Sequence, residues 1–177
     1  MKRQIRRSVF ETNSSSTHAI CISKEKLNKD DFPKFVPFTH GEYGWEFAVY
    51  GDTWTKASYL YEAIFACYYN NEIEIQNKCS KIAEMLDKYD IHCGFAQTKD
   101  TKWGNGYIDH GGETIDFVEA VLEDEQKLLS YLFGDSFVVT GNDNGDSFTD
   151  YMYEDNGDYN YSLKPEFSKY EIYEKWN

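Results

Sequence analysis

The side chains best suited to chemistry lie near the start of the sequence, in Glu11-Thr12-Asn13-Ser14-Ser15-Ser16-Thr17-His18. Hydroxyls beside a histidine are the parts of nucleophile–base catalysis, in which an imidazole takes the proton from an attacking serine. If 16–18 is extended, Ser16 and His18 point to the same side with Cα atoms about 7 Å apart, which permits a hydrogen bond without arranging one. No GxSxG elbow exposes a strained serine, and no third group is identifiable to orient His18. The catalytic candidates are therefore His18, Ser16, Ser14 and Glu11. The competing reading is a turn that bonds its own backbone before entering a strand.

A second constellation is acidic and aromatic. Asp143, Asp146, Asp150, Glu154, Asp155 and Asp158 are interleaved with Tyr151 and Tyr153. Carboxylates on a surface can copy the spacing of phosphates and fill a basic groove made for nucleic acid, and tyrosines anchor such contacts. These eight residues are the candidate partner-binding set, weighed against a merely solvated face. Asp143-Asn144-Gly145-Asp146 also offers oxygen ligands, but neither it nor Asp150 to Asp158 fits the register of a calcium loop. In the glycine-rich stretch 103–113, Asp109 and His110 suggest an acid–base pair, with His110 a helper to His18. The stretch has no GxGxxG and no Walker lysine, so a turn leading into a helix fits it better. The cysteines at 21, 67, 79 and 93 form no CxxC; they read as reduced thiols, and His92-Cys93 is the only adjacent ligand pair. No metal and no cofactor are expected.

The elements that must position these residues follow from periodicity. Residues 3–10 alternate weakly, and 17–22 form a strand with Ile20 and Ile22 on one face and Ala19 and Cys21 on the other. Ser23 caps a short helix over 24–30. Residues 32–50 read as irregular chain with short strands. Asp52 or Thr53 caps a helix to about Tyr69, with Trp54, Ala57, Tyr61, Ile64, Phe65 and Tyr68 at helical spacing. A second helix covers about 73–89, and a third runs from about 114 to 133 with Gly134 beyond its end. Ser136–Thr140 is a strand, 141–146 a turn, and 170–176 the closing strand. The expected fold is a single α+β domain over 1–177, a mixed, mostly antiparallel sheet packed against about three helices.

Bulk properties narrow the function. The 177-residue chain is 41% hydrophobic and 18% aromatic, enough for a real core. No apolar run is long enough to cross a membrane, and the basic N-terminus lacks the apolar segment of a secretory signal. Net charge is −13, and residues 104–163 carry all of it, with Lys127 their one base. Such a region repels a nucleic-acid backbone and attracts a basic surface, so direct nucleic-acid binding is not expected. The only arginines, Arg3, Arg6 and Arg7, are free to pair with the chain's own acids or with a partner's carboxylates or phosphates.

The segment Arg7-Ser8-Val9-Phe10-Glu11-Thr12-Asn13-Ser14-Ser15-Ser16-Thr17-His18-Ala19-Ile20 resembles a start that recurs in small uncharacterised proteins of phages and mobile elements of bacteria. Gly141-Asn142-Asp143-Asn144 is similar to a stretch that accompanies that start. The resemblance implies provenance, an accessory gene acting in the cytoplasm of a bacterial host, and carries over no catalytic residue. With the acidic segment it leads to an expectation of an inhibitor. Such a protein occludes the basic groove of a host nucleic-acid-handling defence enzyme, a CRISPR effector for example. The alternatives are a small enzyme acting on a nucleotide or signal molecule through the Ser/His segment, and a structural or regulatory protein that works as a homo-oligomer.

Overall fold

A computed structural model describes residues 16–97, 106–142, 147–157 and 160–176 of the protein. Ser16–Ser23 forms strand β1, which is buried at all eight positions. Its alternation sends Ile20 and Ile22 into the larger of two cores and Ala19 and Cys21 into the smaller, the division anticipated from the sequence. Then come β2 (Phe35–Phe38), β3 (Glu42–Tyr43), β4 (Ala48–Tyr50), helices α1 (Thr53–Cys67) and α2 (Glu72–Asp87), β5 (His92–Phe95) and β6 (Tyr107–Ile108). The rest comprises α3 (Ile115–Glu123), α4 (Glu125–Phe133), β7 (Phe137–Asn142), α5 (Phe148–Met152), β8 (Tyr153–Asp155), β9 (Tyr161–Leu163) and β10 (Tyr170–Lys175).

The main sheet has the order β10-β1-β7-β4, antiparallel throughout. The two described neighbours of β1 are therefore the C-terminal strand and β7. Short parallel pairs β2–β5 and β3–β6 and the antiparallel hairpin β8–β9 complete the strands. Helices α1, α3 and α4 cover the sheet face that carries Ile20, Ile22 and Val138. The opposite face carries Ala19, Cys21 and Val139 under α5 and the aromatic rings of Phe148, Phe167 and Tyr170. This is an α+β architecture.

Local chemistry explains where the helices differ from the expectations. Asp52 caps α1 as anticipated, accepting from the Thr55 amide at 2.9 Å. Every residue from Lys56 to Ile64 is buried, so α1 is enclosed all round and Trp54 at its start is left exposed. The expected single helix over 114–133 is two: Asp124 takes extended geometry and its carboxylate caps α4, accepting from the amides of Gln126 and Lys127. A side chain that bonds the backbone ahead of it ends one helix and starts the next. The expected helix over 24–30 is only a single 3₁₀ turn at Lys29–Asp31, because Ser23 accepts from the Glu25 amide in a local turn instead of opening a helix. Gly94 lies within β5, and the left-handed residue closing α2 is Asp90, at φ 60°.

Lys56 has its ammonium at the C-terminal end of α4, donating to the carbonyls of Gly134 and Ser136 at 3.0 Å each. Burial lowers its pKa to about 8, and the partial negative charge of the helix end compensates the buried cation.

Phe117 of α3, 1% exposed, joins the layers, its ring 4.9 Å from Tyr131 and 6.1 Å from Tyr173 of the sheet. Phe117→Ala should cost about 3–5 kcal/mol in chemical denaturation with an unchanged m-value, the loss for a cavity that rigid neighbours cannot close.

Candidate functional site

At one end of the sheet the face toward α1 is polar. Register places His18 opposite Thr140 on β7 and opposite Lys175 on β10, with Ser16 opposite Asn142. All four positions 16, 18, 140 and 175 are buried. The His18 ring spans two partners, Gly44 O at 2.9 Å from Nε2 and Tyr59 Oη at 3.0 Å from Nδ1. A carbonyl only accepts, so Nε2 carries the proton and Nδ1 accepts from the Tyr59 hydroxyl. Thr140 Oγ1 donates to Glu46 O at 2.7 Å, and Asn142 Nδ2 donates to Trp45 O at 3.1 Å. Three side chains from two strands thus hold three consecutive carbonyls, those of residues 44, 45 and 46.

That loop runs into β4, an outer strand of the sheet. It displays Trp45, Phe47 and Val49, each a little over 40% exposed, at the two-residue spacing of a strand face. Tyr151 of α5 lies beside them, its ring 5.9 Å from Phe47 and 5.5 Å from Phe167. Lys164 secures the end of α5 by donating to the carbonyls of Asp150 and Tyr151. Asp150 closes a capping box with Ser147, while Glu154 and Asp155 are exposed on β8. Among the described residues none of these three carboxylates has a Lys, Arg or His within ion-pair distance.

Beneath the loop, Lys175 donates to Ser16 O at 2.5 Å and to Ser16 Oγ at 2.8 Å, and Ser16 Oγ donates to Asp109 O at 3.1 Å. A second polar cluster lies on α1: the buried Glu62 carboxylate accepts from His40 Nδ1 at 2.7 Å and from the Gly41 amide at 3.1 Å. Gly106, at φ 117°, presses so closely on it that a Cβ there would meet Glu62 Oε1 at 2.4 Å.

The sequence candidates are placed as follows. Ser14, Glu11, Asp143, Asp146 and Asp158 lie outside the described residues, as do Arg3, Arg6 and Arg7. Ser16 and His18 share a face, as the spacing requires, but they do not form a nucleophile–base pair. His18 is engaged by Tyr59 and Gly44, and Ser16 by Lys175 and Asp109. Both side chains are enclosed, which suits a structural clamp. His110 is exposed at φ 52° before the turn into α3, its Nε2 3.9 Å from Asp109, and so is not brought to His18's ring contacts. Of the two tyrosine anchors, Tyr151 is 38% exposed, whereas Tyr153 is half-buried with its hydroxyl bound to Glu174. Among the described residues no group of three or more His, Cys, Asp or Glu side chains is placed to hold a metal ion. The sequence reading missed Lys175, Tyr59 and the exposed stripe 45/47/49. Only the last had a signal, its alternation beside the turn residues of 41–44.

Burial holds His18 neutral, and desolvation lowers its pKa from 6.5 to about 4 against the opposing hydrogen bond to Gly44. The unfolded chain takes up a proton near pH 6.5 that the folded chain refuses until about 4. The stability due to this group is therefore intact above pH 6.5 and is lost as pH falls through that window, by roughly 3 kcal/mol. Urea denaturation at steps between pH 7 and 4 should show His18→Gln losing less stability on acidification than the unmodified protein. Parallel pH profiles would refute the buried neutral imidazole. Comparisons with protein-family models, with curated proteins and with solved structures find no match for this chain.

Proposed function

We propose that the protein is a phage or mobile-element accessory protein that inhibits a host nucleic-acid-handling defence enzyme by occupying its basic groove. The observation that carries this reading is the stripe Trp45, Phe47, Val49 and Tyr151, exposed beside carboxylates that no described cation neutralises. Large aromatics left in water on a clamped loop are the anchor type of interface hot spots, and unneutralised acids select a basic partner. Its N-terminal resemblance to phage and mobile-element proteins supports the assignment of the partner to a host defence system. The mechanism is occlusion without turnover: acids take the places of phosphates, and the aromatic stripe supplies the desolvated contact.

Two variants separate these contributions. Asp150, Glu154 and Asp155 changed together to Lys should reduce affinity for a captured basic enzyme by about tenfold or more. Most of that loss should be in the association rate and should shrink in high salt. Trp45→Ala with Phe47→Ala should cost at least ~2 kcal/mol, chiefly in dissociation. The assay is nuclease-treated capture from a bacterial lysate followed by binding kinetics on the purified pair, with nucleic acid as competitor. Simultaneous binding of nucleic acid and this protein would overturn occlusion.

A further inference from the structure

The main sheet ends on one side in β10, and among the described residues the backbone of 171–174 hydrogen-bonds to no element other than β1. Six residues of strand, about 20 Å at 3.3 Å each, thus present unpaired N–H and C=O groups along their outer edge. A cavity of about 190 Å³ touches Ile172, Tyr173, Glu174 and Lys175 in succession. Neighbours in a strand point to opposite faces, so a cavity that meets four in a row runs along the strand's edge and not under one face. Its other wall is the start of α3, with Glu113 and Asp116. The Lys175 amine takes no part, being turned to Ser16.

The charge of this groove says what fits it. Glu113, Asp116 and Glu174 are exposed, and no described Lys, Arg or His lies within ion-pair distance of any of them. A second copy of the chain is a poor occupant. Pairing two β10 edges would bring Glu171 and Glu174 of one copy near those of the other, in a chain of net charge −13. An extended chain with basic side chains meets both demands, ladder partners for the edge and cations for the carboxylates.

We infer that the groove between β10 and the start of α3 binds an extended, basic segment of a protein partner by strand addition. The segment's backbone continues the sheet beyond β10, and its side chains alternate between the two faces. Those on the α3 side reach Glu113 and Asp116, and those on the other side lie beside Ile172 and Glu174, which share the face of Cys21 and Ala19. Main-chain bonds supply affinity, while the carboxylates select basic side chains and steer the encounter. This inference is independent of the occlusion reading, which concerns β4 at the opposite edge of the sheet.

A labelled eight-residue peptide alternating lysine and valine tests it, titrated into the full-length protein and followed by fluorescence anisotropy and amide hydrogen exchange. The expected result is saturable binding in which amides of 171–174 gain protection by at least ~10-fold. N-methylation of the alternate peptide amides along one edge should abolish binding, and methylation along the other edge should leave it within about twofold, because only one edge of the peptide meets β10. Glu113→Gln with Asp116→Asn should weaken binding by about tenfold at low salt and less at high salt, with an unchanged circular dichroism spectrum. Trp45→Ala with Phe47→Ala should leave peptide binding unaltered, which separates this groove from the aromatic stripe. Absence of binding, equal sensitivity to methylation along either edge, or indifference to the Glu113 and Asp116 changes would each overturn the inference. So would a tenfold gain in affinity on changing Arg3, Arg6 and Arg7 together to Gln, which would give the groove to the chain's own basic residues.

Discussion

The structure turns on one strand that is buried at every position while carrying polar residues at half of them. In β1, Ser16, Thr17, His18 and Ser23 are as enclosed as Ala19, Ile20, Cys21 and Ile22. A buried polar atom without a partner costs about 1–3 kcal/mol, so such a strand specifies its surroundings more narrowly than an apolar one. Ser23 takes its amide partner from Ser136, at the entry to β7. Ser16 and His18 draw partners from β10, α1 and the 44–46 loop. The chain's two described ends are thereby fastened together, since Lys175 spans 159 positions of sequence to reach Ser16.

This demand for partners also shapes the surface. A loop that follows a two-residue strand has little packing of its own, yet three side chains from the sheet hold its carbonyls at residues 44, 45 and 46. Fixed carbonyls fix the side chains that alternate with them, and Trp45 and Phe47 are held facing outward. The entropy of ordering this loop is met inside the fold, by hydrogen bonds from His18, Thr140 and Asn142. Of the serine–histidine pair, His18 supports this exposed aromatic loop from beneath through Gly44 O, while Ser16 bonds Lys175 and Asp109.

Much of the fold was legible because its signals are local. The two faces of β1 follow from period two, the cap of α1 from Asp52, and the closing strand from the alternation after Tyr170. The break at Asp124 escaped because Leu122 and Leu129, seven residues apart, continue one helical stripe across the polar run Glu123–Lys127, and the break is made by the Asp124 side chain's bonds to the backbone ahead. Lys175 escaped for a different reason. In sequence it stands among Tyr173, Glu174 and Trp176 like any solvent-facing lysine, and its burial depends on β1 pairing along its whole length. The separation of Ser16 from His18 is equally non-local: period two put them on one face, but their partners come from positions 41 and 159 residues away.

The central register couples the two edges of the sheet electrostatically. His18 and Lys175 are directly opposed on β1 and β10, both buried, and the charge on Lys175 is one of the causes that lower the His18 pKa. Two cations cannot share this low-dielectric position at tolerable cost, so the pair carries at most one charge. Neutrality of His18 keeps its Nδ1 an acceptor for Tyr59 and its Nε2 a donor to Gly44, and so keeps the aromatic loop in place. A positive charge at Lys175 acts to lower the His18 pKa and so reinforces that neutrality. The loop at one edge and Lys175 at the other thus meet in a single network centred on an uncharged imidazole.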